Sequence, residues 1–491
     1  MSVTSTVGGG ECNAARLLVH TRPRPGAPRD RFAATVASTP SIGKRAPAEL
    51  PRGPHSLSRE QVAGNQRQRL IAAMIEAVGE QGSARTTVAQ VIARAGVSRK
   101  AFYQHFENKQ ACLLETYDEL ARDVVEYVTR AYLEHGEISA SARAAIDAVF
   151  EWASEHSSAL RLVLVEVGAT GPAGIARREQ LLGDFEEMLR LSLGLPPGPN
   201  PVLRAVVGGL NRVLYTCAQS GRYAELAGLA PALVQWATSY TPIPPAMLNL
   251  RRPAHAPASL VGGRAPGTLY PHISLTGRRG LLRGRGNVSH SLVVHSQRER
   301  ILDAVANLAT ERGYAGLTCE AIAEEAAVSL HAFYTHFSGK EDAFLVAYEV
   351  GHHKSLAAVQ QARDAQPDWQ RGVRAGIGAL FQFLASEPAF AHMALVDSLI
   401  ATHRTADRAA KGADAYARTL APDLRESALA ERPAAVIMEA VAGGLFELCY
   451  SQALRGRVRV LPEMLPAATY FALAPFIGAE RAARLATEPR G

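Results

Sequence analysis

Apolar residues recur every three to four positions along two long stretches of this chain, 66–239 and 296–485. This spacing gathers them on one face of an α-helix, which has about 3.6 residues per turn. Gly-Pro at 171–172 and Pro-Pro-Gly at 196–198 interrupt the first stretch, as expected between helices. The pattern therefore predicts an all-α protein with two large helical units.

A segment of 23 residues occurs twice. TVAQVIARAGVSRKAFYQHFENK, Thr87–Lys109, returns 231 positions later as TCEAIAEEAAVSLHAFYTHFSGK, Thr318–Lys340. A second repeat pairs VVGGLNRVLYTCAQSGRYAEL at 206–226 with VAGGLFELCYSQALRGRVRVL at 441–461, at an offset of 235. Because the two offsets differ by only four residues, the repeat covers the whole unit, and the chain is predicted to be a tandem fusion.

The first copy of the segment has the pattern of two short helices joined by a turn. Thr87 and Gln90 predict a capping box at the start of the first helix, and Gly96 ends that helix. Ser98 is placed to cap the second helix, on which Phe102 and Phe106 are predicted to be core residues. Such a helix-turn-helix can insert its second helix into the major groove of DNA.

At these residues the sequence resembles the TetR/AcrR family of transcriptional regulators. The resemblance begins with a first helix at Arg67–Gln81 and ends with Asn108 and Lys109, which open a fourth helix. It implies two TetR-like units, each with an N-terminal three-helix helix-turn-helix DNA-binding domain and a C-terminal helical effector and dimerisation domain. The predicted segments are a disordered basic extension (1–60), DNA-binding domain 1 (66–126), effector/dimerisation domain 1 (127–240), a basic linker (241–295), DNA-binding domain 2 (296–356) and effector/dimerisation domain 2 (357–485).

The resemblance also implies which side chains contact DNA. Tyr103, His105 and Lys109 would hold phosphates, and Thr87 would offer its hydroxyl and the helix N-terminus to another phosphate. Arg99 and Lys100 are the candidates for reading bases, since their long donors can reach guanine O6 and N7. The full predicted set is Thr87, Ser98, Arg99, Lys100, Tyr103, His105, Lys109, Thr318, Ser329, His331, Tyr334, His336 and Lys340.

The second copy departs from the first in charge and in its turn. Residues 86–110 carry four basic and one acidic side chain, whereas residues 317–341 carry one basic and four acidic side chains. DNA affinity depends on the number of phosphates neutralised, so the second motif is expected to bind more weakly. Ala327 replaces the turn glycine, which is tolerable at negative φ and costs about 1 kcal/mol or more at positive φ.

Most of the excess positive charge lies outside the two units. The chain has 53 Lys and Arg against 46 Asp and Glu, and residues 1–57 and 241–295 carry 8 and 7 basic residues against 3 and 0 acidic ones. The composition at 1–60 is typical of disorder, or of sequence upstream of the true translation start. The Arg-Gly-Arg-Gly at 283–286 resembles a minor-groove hook without its usual proline, and a solvated linker is the alternative we favour.

The remaining composition points to a cytoplasmic protein without catalytic chemistry. No apolar run approaches about 18 residues, so no membrane span is expected, and the N-terminus lacks a hydrophobic signal core. The motifs of common hydrolases, nucleotide-binding proteins and zinc proteases are missing, so we expect neither an enzyme, a cofactor nor a metal site. The five cysteines show no Cys-x-x-Cys spacing: Cys12, Cys112, Cys217, Cys319 and Cys449.

The resemblance implies a sequence-specific DNA-binding transcriptional regulator that acts as a ligand-responsive repressor. Its predicted partners are double-stranded DNA and an apolar small-molecule effector, with Trp152, Phe185, Tyr215, Phe381, Met393 and Phe446 as candidate lining residues. The alternative is a helical dimerisation or corepressor protein in which one or both motifs, especially the second, no longer bind DNA. The two units could form an intramolecular pseudo-dimer, or like units could pair between two chains in a homodimer.

Overall fold

The structure, a computed structural model, describes residues 58–135, 138–240, 243–244, 247, 290–421 and 431–488. The predicted basic extension up to residue 57 and nearly all of the linker, including the Arg-Gly-Arg-Gly segment, lie outside the described residues. Within the described ranges the chain is helical and contains no β-strand, which confirms the predicted all-α fold.

The helices of the first unit are α1 (Arg59–Gln81), α2 (Val88–Ala95), α3 (Arg99–His105), α4 (Lys109–Leu133), α5 (Ile138–Glu155), α6 (Ser157–Arg161), α7 (Pro172–Ser192), α8 (Pro201–Ser220) and α9 (Leu226–Thr238). Short π and 3₁₀ turns at Leu162–Glu166, Val167–Thr170 and Tyr223–Glu225 connect some of them. α1 starts eight residues before the predicted first helix, because Ser58 and Gln61 form a capping box there.

The helices of the second unit are α10 (His290–Arg312), α11 (Cys319–Glu325), α12 (Leu330–His336), α13 (Lys340–Asp364), α14 (Trp369–Ser386), α15 (Pro388–His392), α16 (Ser398–Ile400), α17 (His403–Thr419), α18 (Glu431–Leu454), α19 (Leu465–Ile477) and α20 (Ala479–Thr487). Shorter π and 3₁₀ segments lie at Tyr314–Gly316, Met393–Asp397 and Val458–Met464.

Each unit opens with a small helical domain built around aromatic side chains. In the first unit Phe102 and Phe106 are buried, as predicted, and their rings lie 5.7 Å apart under α1 and α4. In the second unit Phe333 and Phe337 are buried in the same way, with rings 5.9 Å apart. This shared core fixes the short helices α3 and α12, which are too short to be stable by themselves.

The two units meet where α8 crosses α18, and paired glycines permit the approach. A Cβ atom on Gly209 would lie 2.5 Å from the Ala440 carbonyl oxygen, and a Cβ atom on Gly444 would lie 2.4 Å from the Ala205 carbonyl oxygen. Both distances are far below a normal carbon–oxygen contact, so any larger residue would push the helices apart. The Gly-Gly pairs at 208–209 and 443–444 therefore set the helix spacing.

Aromatic residues of α9, of the turn that follows it and of α19 enclose this crossing. The rings of Tyr240 and Phe471 are stacked with centroids 5.3 Å apart, and Trp236 packs edge-on against Phe471 at 6.0 Å. The Tyr240 hydroxyl donates a hydrogen bond to the Phe471 carbonyl oxygen at 2.9 Å, and the Tyr470 hydroxyl donates to the Tyr240 carbonyl oxygen at 3.3 Å. The surfaces of the two units are thus joined by packing and by hydrogen bonds within one chain.

The expectation that no segment is long and apolar enough to span a membrane is wrong for two helical segments. Ala434–Leu454 and Val458–Ile477 would be long and apolar enough to cross a membrane by length and composition, and the bent pair Trp369–Ser386 with Pro388–Ile400 would qualify as a further span. About 72% and 67% of the first two windows are buried inside the protein. Burial inside the protein accounts for their apolar character.

Candidate nucleic-acid interface

Side-chain caps at two helix starts and a left-handed turn between the helices define the first helix-turn-helix. The Thr87 hydroxyl accepts from the Gln90 amide at 3.3 Å while the Gln90 side chain accepts from the Thr87 amide at 2.8 Å, which completes the predicted capping box. Gly96 ends α2 with φ 59° and ψ 38°, and the Ser98 hydroxyl accepts from the Ala101 amide at 3.1 Å. The Thr87 and Ser98 hydroxyl oxygens therefore already accept hydrogen bonds from the first turns of α2 and α3 in the absence of DNA.

The second helix-turn-helix has the same backbone. The Thr318 hydroxyl caps α11 by accepting from the Ala321 amide, and the Ser329 hydroxyl caps α12 by accepting from the Ala332 amide, both at 3.1 Å. Ala327 adopts φ 52°, the left-handed conformation that Gly96 has in the first copy. Ala327 therefore has the positive φ that is energetically costly for alanine, because its Cβ atom crowds the following carbonyl oxygen.

The exposed faces of α3 and α12 differ in chemistry. Arg99 and Lys100 are exposed at the start of α3, and the Arg99 guanidinium lies 5.7 Å from the exposed Tyr103 ring. The corresponding positions on α12 are Leu330 and His331, both exposed. Tyr334 is exposed as Tyr103 is, so both helices keep the tyrosine but only α3 presents strong cations beside it.

Two lysines predicted as phosphate contacts also make hydrogen bonds within their own helix-turn-helix domains. The Lys109 ammonium donates to the Ser83 and Thr86 carbonyl oxygens at 2.9 and 3.0 Å, which ties α4 to the end of α1. The Lys340 ammonium donates to the Leu317 carbonyl oxygen at 2.9 Å and to the Tyr314 carbonyl oxygen at 3.4 Å. Each ammonium has three donors, so one donor remains for a phosphate. This structural role of the two lysines was not predicted from the sequence.

The two predicted histidines are half-buried rather than fully accessible. Burial and the neighbouring Arg67 charge lower the pKa of His105 below its ordinary value. Burial and the Arg298 charge lower the pKa of His336 likewise, and its Nε2 lies 3.4 Å from Gln297 Oε1. Burial therefore disfavours the charged form of both rings, and each ring can offer a hydrogen bond to a phosphate.

One cation counted in the first motif is directed away from the turn. The Arg94 guanidinium donates to both carboxylate oxygens of Glu80 at 2.8 and 2.6 Å and lies 3.5 Å from Glu76, so it joins α2 to α1. In the second copy the acidic residues Glu324 and Glu325 are exposed on α11. The contrast in charge between the motifs therefore rests on Arg99 and Lys100 in one copy and on these acids in the other.

A cavity of about 590 Å³ lies in the second unit against the first. In the second unit its walls come from α13, α14, α15, α17, α18, α19 and the π segment Met393–Asp397. Arg212, Thr216 and Gln219 of α8 contribute from the first unit. The lining is mainly apolar, and this volume is within the usual range of small-molecule sites. His352 and Tyr416 are polar groups on its wall, with ring centroids 5.0 Å apart.

One of the six side chains predicted to surround an effector lines this cavity. Phe446 lines it, whereas the other five candidates are not among its described lining residues. Phe381 and Met393 are fully buried in the core, and Trp152 is buried with its indole nitrogen donating to Asp123 at 3.1 Å. Apolar spacing could not separate cavity walls from core, because both require the same residue types.

The described fold and its two modules define a class of protein, the helix-turn-helix regulators. The family model for bacterial regulatory proteins of the tetR family matches residues 70–116 and 301–347. The chain is thus a tandem fusion of two TetR-like units, each opening with a DNA-binding domain of this family. No curated protein matches the sequence.

Several solved structures align with about a third of this chain. The fatty acid degradation regulator FadR from Bacillus halodurans is 15% identical, with 35% of this chain and 94% of that chain covered and a TM-score of 0.33. FadR from Bacillus subtilis, solved in complex with stearoyl-CoA, is 16% identical, with coverages of 34% and 96% and a TM-score of 0.31. NalD of Pseudomonas aeruginosa, a repressor of a multidrug efflux pump, is 18% identical, with coverages of 36% and 96% and a TM-score of 0.29.

Proposed function

We propose that this chain is a cytoplasmic, ligand-responsive transcriptional repressor in which the first helix-turn-helix supplies most of the affinity for DNA. The observation that carries this proposal is the exposed face of α3, where Arg99, Lys100 and Tyr103 stand together on a rigid, capped helix. Long cationic donors at the start of such a helix suit guanine edges in the major groove, and the tyrosine suits a phosphate.

The second motif is proposed as a weaker reader in the same regulator. Its backbone keeps the caps and the turn, which supports a retained shape, but Leu330 and His331 replace the cations and α11 is acidic. Fewer neutralised phosphates give a smaller electrostatic contribution to binding. The alternative, a dimerisation or corepressor role without DNA binding, is favoured by these acids for the second unit alone.

The effector proposed for the second unit is a largely apolar small molecule. Support comes from the cavity, whose apolar side chains include Val373, Leu380 and Phe446 and whose volume of about 590 Å³ can hold a ligand of drug-like size. Because Arg212 and Thr216 of the first unit line the same space, an occupant would contact both units. This gives a physical route by which ligand binding could alter how the two DNA-binding domains are held.

Binding to the promoter region of the gene, measured against salt, tests the DNA proposal. Arg99→Ala should weaken specific binding by about 1–3 kcal/mol and relax sequence preference, and Tyr103→Ala should weaken binding to all sequences. The matched controls Leu330→Ala and Tyr334→Ala should cost less, because the second motif carries less of the binding. Equal losses from both sets would contradict a dominant first motif, and no salt-dependent binding at all would favour the corepressor role.

Thermal-shift screening with apolar ligands tests the effector proposal. A ligand that stabilises the wild type should lose its effect in Ala413→Phe, whose new side chain would fill part of the cavity. Lys411→Phe adds the same ring at an exposed position of α17 and should leave the ligand effect intact. If no apolar ligand stabilises the protein while DNA binding is intact, repression without an effector is the better account.

A further inference from the structure

The crossing of α8 and α18 is related to itself by an approximate twofold axis. A Cβ atom on Gly208 would lie 2.3 Å from the Cβ atom of Glu447, and a Cβ atom on Gly443 would lie 2.2 Å from that of Arg212. Gly208 and Gly443 are 235 positions apart, and so are Arg212 and Glu447. The same contact is therefore made twice, with the roles of the units exchanged.

The charges on this repeated surface are reversed between the units. Arg204 and Arg212 lie on α8, whereas the positions 235 residues further on α18 hold Glu439 and Glu447. The first unit thus presents two cations where the second presents two anions. This exchange is not needed for helix formation, because all four residues are tolerated in helices.

One half of this arrangement is a buried ion pair. The Arg204 guanidinium donates to Glu447 Oε1 at 2.5 Å, and both side chains are almost fully buried. Arg178 donates to the other carboxylate oxygen of Glu447 at 2.8 Å, and Arg204 also donates to Glu179 at 2.8 Å. The opposite charges hold the pKa of Glu447 below its usual range, so it is ionised and paired.

The other half lies at the cavity. Arg212 and Glu439 both line it, and the Arg212 guanidinium lies 3.6 Å from a carboxylate oxygen of Asp414 on α17. A cation of the first unit therefore again lies beside an anion of the second, here Asp414. The first half is complementary through Arg204 of α8 and Glu447 of α18, and the second half places Arg212 of α8 and Glu439 of α18 on the wall of one cavity.

Pairing of like units in the same geometry would reverse this outcome. Two copies of the first unit would place Arg204 against Arg212 at both halves, and two copies of the second would place Glu439 against Glu447. In a pair of first units Arg204 would keep Glu179 but would lose Glu447 and face a second cation, so its lost hydration would be less well compensated. Like-charge contacts of this kind are a recognised way of rejecting wrong partners.

We propose that the opposite charges on α8 and α18 make each unit pair with the other unit of the same chain. The same charges disfavour pairing with a second copy of either unit. The covalent connection supports pairing within one chain, because it raises the effective concentration of the correct partner to about the millimolar range. The proposal concerns the pairing surface, so it stands whether or not the DNA and effector proposals hold.

Light scattering of the full chain over a wide range of concentration tests it. The wild type should have the mass of one chain. The double variant Arg212→Glu/Glu439→Arg keeps the Arg204–Glu447 pair and makes each unit complementary to itself, so its two-chain dissociation constant should fall at least about tenfold. Arg212→Gln/Glu439→Gln removes the same charges without self-complementarity and is the matched control, expected to be much less associated.

A wild type with the mass of two chains throughout the concentration range would overturn the proposal. The proposal would also be overturned if the charge-exchanged variant has a folded circular dichroism spectrum but associates no more strongly than the glutamine control. If the charge-exchanged variant does not fold, the single variant Glu439→Arg provides the test, since it makes only the second unit complementary to itself. Its two-chain association should exceed that of Glu439→Gln, and equal association would again contradict the proposal.

Discussion

At the scale of single residues, the turn of the second helix-turn-helix holds an alanine in a conformation that favours glycine. Ala327 has φ 52°, and Gly96 has φ 59° at the equivalent place. We expect Ala327→Gly to raise the free energy of unfolding by about 0.5–1 kcal/mol, because the steric cost of the left-handed conformation exceeds the added entropy of the unfolded chain. Denaturant unfolding of the full chain measures the change.

The reverse substitution is the control for this turn. Gly96→Ala should lower the free energy of unfolding by about 1 kcal/mol, since it introduces the same crowding into the first motif. A stabilising Gly96→Ala, or a destabilising Ala327→Gly, would show that these turns are not left-handed in solution.

A buried histidine makes stability depend on pH. Burial, with the charges of His353 and Arg408, lowers the pKa of His352 to about 4. The unfolded state takes up a proton below about pH 6.5 and the folded state does not until about pH 4, so acidification favours unfolding. His352→Phe should remove about 2 kcal/mol of the stability lost between pH 7 and pH 5, measured as the difference from wild type.

Two buried carboxyl groups make an opposite contribution to the pH dependence of stability, and this contribution cancels when the variant is compared with wild type. Burial raises the pKa values of Glu387 and Asp397 to about 7, so these groups favour the folded state more as the pH falls, in both proteins. The exposed neighbour offers a control, His353→Phe, which should alter the pH dependence much less. An unchanged pH dependence in His352→Phe would show that His352 titrates normally.

At the scale of elements, α4 is fastened to α1 by a side chain that was predicted to touch DNA. Lys109→Met should lower the free energy of unfolding by about 2 kcal/mol without DNA, because the Ser83 and Thr86 carbonyl oxygens lose a charged donor. Lys100→Met, at an exposed position, should change stability by less than about 0.5 kcal/mol while weakening DNA binding. A Lys109→Met protein as stable as wild type would leave only the phosphate role.

At the scale of the whole molecule, two unlike recognition helices on one chain predict an asymmetric operator. Arg99 and Lys100 on α3 correspond to Leu330 and His331 on α12, so the two halves of a bound site should not be inverted copies. Footprinting of selected binding sites should show strong, sequence-specific protection of one half and weaker protection of the other. A palindromic footprint by a two-chain species would instead support like-unit pairing.

The sequence alone determined the tandem organisation, the all-α fold and the helix-turn-helix, because these depend on local signals. The periodic apolar face, the cap at Thr87, the break at Gly96 and the cap at Ser98 each act within a few residues, and the structure has them where they were expected. Because the segment recurs at 318–340, the same helix-turn-helix was predicted in the second unit.

Tertiary structure alone decided what depends on distant neighbours. The bonds from Lys109 to carbonyl oxygens, the walls of the cavity and the positive φ of Ala327 follow from how helices meet, which periodicity does not encode. The reversed charges on α8 and α18 are visible in the sequence only once the crossing shows that position 204 faces position 447. The physical reason is that burial and pairing, rather than residue type, give a charge its energetic consequence.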